Sequence, residues 1–254
     1  MSSCAEFRFY EELNDFLPPD KRKISFGYFF EGIPAVKHLI ESVGVPHTEV
    51  DLILVNGEAV DFSHKIHHGD RVAVYPVFET LDISGVGKLR SRALREPAFI
   101  LDVHLGKLAK YLRLLGFDSL YKNNYADEDI VAIIREEPRR MVLTRDRGLL
   151  KRKLITHGYW VRETDSHKQL DEIMTRFDLF SLMRPFTLCI RCNEKVADVE
   201  KDMIYERLPG AVRELHDEFT ICPRCERIYW PGSHYYRMND LVTHLRSLSD
   251  SLSP

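Results

Sequence analysis

Apolar positions in the middle of the chain fall into two alternating patterns. Ala98-Phe99-Ile100-Leu101 is a short unbroken apolar run, the mark of a strand buried on both faces. Asp102 follows, and Leu105, Leu108, Ala109, Leu112 and Leu115 then recur at helical spacing, with Lys107, Lys110 and Arg113 off that stripe and Gly116 at the expected stop. Met141–Thr144 repeats the short run and ends in Arg145-Asp146-Arg147. Tyr159-Trp160-Val161 does so again, ahead of Asp165 and a stripe of Leu170, Ile173, Met174 and Phe177. Asp127 heads a further stripe, Ile130, Val131, Ile133 and Ile134. Strands alternating with helices predict an α/β domain with a parallel sheet, and ligands of such sheets gather at the carboxyl ends of the strands. Three of the predicted strands lead into an acid. The competing reading of Asp127, which stands just before a helical pattern, is a helix N-cap, worth about 1 kcal/mol.

Residues 1–80 carry a different pattern. Phe7 and Phe9 alternate with Arg8 and Tyr10, Lys23–Phe29 reads as a second strand, and Ala35, Leu39, Ile40 and Val43 form a helical stripe. Leu52–Val55 enters Asn56-Gly57, a strong hairpin signal, and Val72–Val77 closes the segment as another strand. This order resembles the β-grasp, ubiquitin-like fold, and the segment VNGEAVDFSHKIHHGDRVAVYP resembles sulfur-carrier proteins. Carriers end in a free Gly-Gly tail, whereas this strand runs on into Phe78 and Glu79, so a module that binds a protein partner is the preferred reading. Residues 81–97, with two glycines and four basic side chains but no sustained period, read as a linker.

Composition adds three points. With 254 residues, 44% hydrophobic and 30% charged, the chain suits two or three soluble domains. No apolar run approaches a membrane span and the start lacks the features of a signal peptide, so a cytoplasmic location is expected. The net charge of −3 is uneven: residues 1–80 carry 7 Lys+Arg against 13 Asp+Glu, and residues 81–182 carry 19 against 15. The segment that holds the strand-end acids is therefore the basic one, which suits a nucleic-acid enzyme but does not require one.

Four of the five cysteines form Cys189-x-x-Cys192 and Cys222-x-x-Cys225, with 29 residues between the pairs. Four thiolates in two knuckles suit tetrahedral zinc, so a structural zinc ribbon is expected over residues 183–245. A redox role for one pair is the alternative. The aromatic run Tyr229–Arg237 follows, in which Ser233, His234 and Arg237 are candidates to face RNA.

LDVHLGKLAKYLRLLGFDSLY, then ADEDIVAII, then RRMVLTRDRGLL, followed by both cysteine pairs, resembles the PIN-like ribonuclease family known as the Mut-seven C-terminal RNase domain. Bacterial members of that family often carry a ubiquitin-like domain in front. The resemblance implies a three-layer α/β/α PIN-like domain over residues 98–182 and metal-dependent hydrolysis of RNA. It also implies acidic site positions at Asp102, Asp127 and Asp146, with Asp165 as a fourth.

Phosphodiester hydrolysis needs a nucleophile formed at neutral pH and charge compensation at phosphorus, and carboxylates suit Mg²⁺ or Mn²⁺ for both. Asp102, Asp127 and Asp146 are the expected ligands of that ion. Lys107, Arg113, Arg145 and Arg147 are the expected RNA contacts, with surface ion pairing as their alternative. The expected substrate is tRNA or another structured RNA. The alternative function is an RNA-binding module that uses the same pocket and the ribbon without cutting.

Overall fold

The structure is a computed structural model that describes residues 2–76 and 97–252. The linker expected over 81–97 lies, except for Pro97, outside the described residues. Two compact units emerge: one holds Met1–Glu96 with Ala126–Trp160, the other Pro97–Tyr125 with Val161–Pro254.

In the first unit, β1 (Ser3–Phe9), β2 (Phe26–Phe30), α1 (Val36–Val43), β3 (Val50–Val55), β4 (Glu58–Val60) and β5 (Arg71–Pro76) follow in order. The sheet runs β2-β1-β5-β3-β4, with the β1–β5 pair parallel. Phe7 and Phe9 point into the core, as their alternation predicts, beside Leu39, Ile40 and Ile53. The hairpin between β3 and β4 turns at Asn56 and Gly57, both at positive φ, the geometry that makes an Asn-Gly pair so strong a signal. This is the expected N-terminal β-sheet domain.

The remaining chain is mixed α/β with a parallel sheet. In the second unit, β6 (Ala98–Leu101) has Phe99, Ile100 and Leu101 fully buried and leads into α2 (Gly106–Leu114). Gly116 stops that helix at φ +87°, where a Cβ would collide with the Arg184 carbonyl oxygen, so no other residue fits. β7 (Asp118–Leu120) then pairs parallel with β6. In the first unit, α3 (Asp127–Glu136), β8 (Met141–Thr144), α4 (Arg147–Leu150) and β9 (Gly158–Trp160) follow, with β8 and β9 again parallel. Back in the second unit, α5 (Ser166–Arg176) buries Leu170, Ile173 and Met174, the stripe seen in the sequence.

The cysteine-rich segment closes the second unit. β10 (Ala197–Asp198), α6 (Lys201–Ile204), α7 (Gly210–Leu215), β11 (Thr220–Ile221) and β12 (Ile228–Tyr229) form a small antiparallel sheet, ordered β10-β11-β12, with two short helices. Its core is Ile204, Leu208 and Phe219. The chain then enters α8 (Ser233–Leu252), twenty residues long, which buries Leu241, Val242 and Leu245.

Candidate functional site

The sulfur atoms of Cys189, Cys192, Cys222 and Cys225 all lie within 4.8 Å of one another. Each knuckle is made by the same local fold. The Cys189 N–H donates to Glu194 O and Asn193 N–H returns to Cys189 O; the Cys222 N–H donates to Arg227 O and Glu226 N–H returns to Cys222 O. Asn193 and Glu226 hold the matching left-handed positions, at φ +69° and +55°. Cys189 sits 3.5 Å from Cys225, and Cys192 sits 3.4 Å from Cys222.

Proton energetics at this cluster favour a cation. Burial opposes ionisation at Cys189, but hydrogen bonds led by the Tyr229 hydroxyl outweigh it and bring the thiol to about 6. Burial pushes Cys192 up to about 12, and Cys225 is also raised, first by burial. Sulfurs this close cannot all ionise without a compensating charge, and four sulfur donors match the tetrahedral preference of Zn²⁺.

The first knuckle is tied to the α/β layer. Arg113 is 3% exposed; its Nε donates to Ser119 O at 2.8 Å, and its Nη1 to Arg191 O at 2.9 Å and Ile190 O at 3.3 Å. Asn193 adds a bond from Nδ2 to Asp118 and accepts the Ser119 N–H. Arg113 was expected to meet RNA. Instead it is a buried bracket for the knuckle backbone, because its five fixed donors fit converging carbonyls.

The acids occupy distinct local settings. Asp102 follows β6, is 7% exposed, and accepts the His104 N–H at 2.9 Å through Oδ1. Beside it, a side chain at Gly106 would strike the Tyr121 hydroxyl, whose proton goes to Val103 O. Asp146 follows β8, lies exposed, and accepts the Gly148 N–H at 2.7 Å, while its own N–H donates to the buried Thr144 hydroxyl. Asp127 is the first residue of α3 and lies 3.7 Å from Arg152. The cap on that helix comes from Asp129, whose carboxylate accepts the Ala126 N–H. Asp165 caps α5 by accepting the N–H groups of Lys168 and His167, which hold its fully exposed carboxyl below the usual range.

The basic candidates divide. Lys107 is exposed on α2, and Ser233, His234 and Arg237 are exposed on the first turn of α8. Arg145 is half-buried, and its carbonyl accepts the Trp160 indole N–H. Arg147, expected to clamp phosphate, stacks instead over Trp160 at 3.9 Å and Phe16 at 4.9 Å and donates to Asp15 O. A guanidinium gains more from two aromatic faces than from water, which sets this orientation. The Trp160 backbone N–H donates to the Glu49 carboxylate, and Lys151 reaches Glu41 O, so the β-grasp segment holds both flanks of the turn that carries Asp146. Sequence reading missed Phe16 and Trp160 in this role; an aromatic followed more than a hundred residues later by its partner leaves no local signal.

The model of the Mut7-C RNAse domain matches residues 97–242, and that of the Mut7-C ubiquitin domain matches residues 2–82. No curated protein and no solved structure matches the chain. The chain therefore belongs to the Mut7-C RNAse domain family, with the family's ubiquitin-like domain in front.

Proposed function

We propose that the protein is a metal-dependent ribonuclease that hydrolyses phosphodiester bonds in structured RNA such as tRNA. The observation that carries this reading is the match of the RNAse domain across residues 97–242, joined to carboxylates within two residues of the ends of the parallel strands β6 and β8. Asp102, Asp127 and Asp146 would hold Mg²⁺ or Mn²⁺, with Asp165 as a further acid. Their hard oxygen donors suit such an ion, which when bound lowers the pKa of water and offsets charge at phosphorus. Lys107 and Arg145 serve as the phosphate contacts near these acids, and Ser233, His234 and Arg237 hold RNA along the start of α8. The ribbon takes structural zinc. The β-grasp domain offers a surface for a protein partner, and the cytoplasm is the proposed location.

A second reading, RNA binding without cleavage, has one observation in its favour. Asp102, Asp146 and Asp165 each accept backbone N–H groups at a helical turn, a task that would retain a carboxylate without any chemistry. Incubating labelled tRNA with the protein in Mn²⁺, in Mg²⁺ and in EDTA separates the two. Fragments that need the divalent ion support the nuclease; retention of intact RNA in every buffer supports the binding module.

A further inference from the structure

Between the ribbon sheet and the start of α8 lies a cavity of about 500 Å³, none of whose lining was assigned above to RNA or metal. Its walls are aromatic: Phe186, Phe219, Tyr229, Trp230 and Tyr235. The Phe186 and Tyr235 rings stack at 4.4 Å with 29° between their planes. Phe186 holds this position at φ +64°, in the left-handed region that a bulky residue seldom enters, and strained residues of this kind cluster at ligand sites. Its N–H is pinned to Leu114 O, and the Tyr229 hydroxyl is pinned to the Cys189 sulfur, so two of the aromatic walls are held in place.

The rim carries four carboxylates, Asp198, Glu200, Asp217 and Glu218. Among the described residues that line the cavity, none is Lys, Arg or His. Asp217 is engaged by Lys201 at 2.7 Å, while Asp198, Glu200 and Glu218 lie exposed at the opening. Such a site rejects phosphate. It accepts a flat ring by stacking and asks that ring for hydrogen-bond donors along one edge. Guanine meets both demands, since its N1–H and N2–H₂ present two parallel donors to a carboxylate. Adenine and cytosine offer only an amino group beside an acceptor, and uracil a single N–H between carbonyls.

We propose that this cavity is a guanine-binding subsite that seats one unpaired base of the RNA while the sugar-phosphate chain passes outside the acidic rim. The proposal rests on the RNA reading above but not on cleavage. Stacking on the Phe186–Tyr235 pair supplies affinity, as aromatic platforms do for single-stranded RNA, and the rim carboxylates supply the choice of base.

The test is calorimetric titration of the full chain with guanosine, adenosine, cytidine and uridine, and with arginine amide as a cation that lacks a base. Guanosine should bind at least about tenfold more tightly than any other nucleoside and than arginine amide. Tyr235→Ala should weaken guanosine about tenfold or more. Combined Asp198→Asn, Glu200→Gln and Glu218→Gln, all at exposed positions, should leave the fold intact and erase the preference. Equal binding of the four nucleosides, no nucleoside binding, or tighter binding of arginine amide overturns the proposal, the last in favour of a basic peptide. RNA cleavage without guanosine binding removes this subsite alone, whereas guanosine binding without RNA cleavage removes only the nuclease reading.

Discussion

Removing the Arg113 guanidinium leaves the buried Ser119 carbonyl without that donor and takes the same donor from the partly covered carbonyls of Ile190 and Arg191. Each buried acceptor left unpaired costs about 1–3 kcal/mol, partly recovered by relaxation, so Arg113→Ala should lower stability by roughly 2–4 kcal/mol in urea unfolding. Arg147 calls for a different assay. Its charge is spent on Trp160 and Phe16, while Lys107 stands in solvent. In RNA titrations at several salt concentrations, Lys107→Ala should reduce the slope of log affinity against log salt by roughly 0.7–0.9, the effect of one phosphate contact. Arg147→Ala should leave that slope unchanged and lower the melting temperature instead. A reduced slope for Arg147→Ala would return it to the RNA face. The sequence places Arg147 beside Asp146 and Arg113 off the apolar stripe of its helix, but burial decides what a guanidinium meets, and burial depends on segments far away in sequence.

At the scale of elements, α1 and the turn that follows it are joined by Glu41 and His47, 2.7 Å apart, with the histidine nearly covered. Burial of Glu41 opposes its ionisation, yet the His47 hydrogen bond and nearby Lys37 and Lys151 together hold the carboxyl below its ordinary value of 4.5. A carboxyl lowered by folding stabilises the folded state above its ordinary value, and that contribution disappears as pH falls through the lower folded value. Stability of the first unit should therefore decline below about pH 4.5, and Glu41→Gln should flatten that part of the curve followed by tryptophan fluorescence.

Strands and helices were legible where periodicity was local. The buried run before Asp102, the Asn56-Gly57 hairpin, and the Gly116 stop all reflect interactions spanning a few residues. The twenty-residue helix α8 was not legible. Its Ser-rich end lacks a strong stripe, and only Leu241, Val242 and Leu245 are covered. The strand-end acids were legible as positions, but the backbone bonds that hold each carboxylate were not, because a carboxylate that caps and one that binds metal follow the same strand in the same way.

Across the whole molecule, the ribbon's small core of Ile204, Leu208 and Phe219 is too modest to order four crowded thiols unaided. Zinc binding worth about 10–16 kcal/mol would dominate that segment's stability. Purified protein should carry one zinc per chain by elemental analysis. Cys222→Ser should lose it and make residues 183–245 sensitive to protease, while a zinc-free wild type would refute the ribbon.

The central claim, cleavage that depends on a metal held by strand-end acids, is tested most directly at Asp146. Asparagine caps a helix about as well as aspartate, so Asp146→Asn keeps the bond from Gly148 N–H and removes only the charge. Rates of tRNA cleavage in Mn²⁺ should be compared for wild type and Asp146→Asn, beside an RNA binding titration and a melting curve for each. A fall of at least about a hundredfold in cleavage, with melting unchanged and RNA affinity equal or slightly higher, is the predicted result. Cleavage that persists in the variant and in EDTA would contradict it.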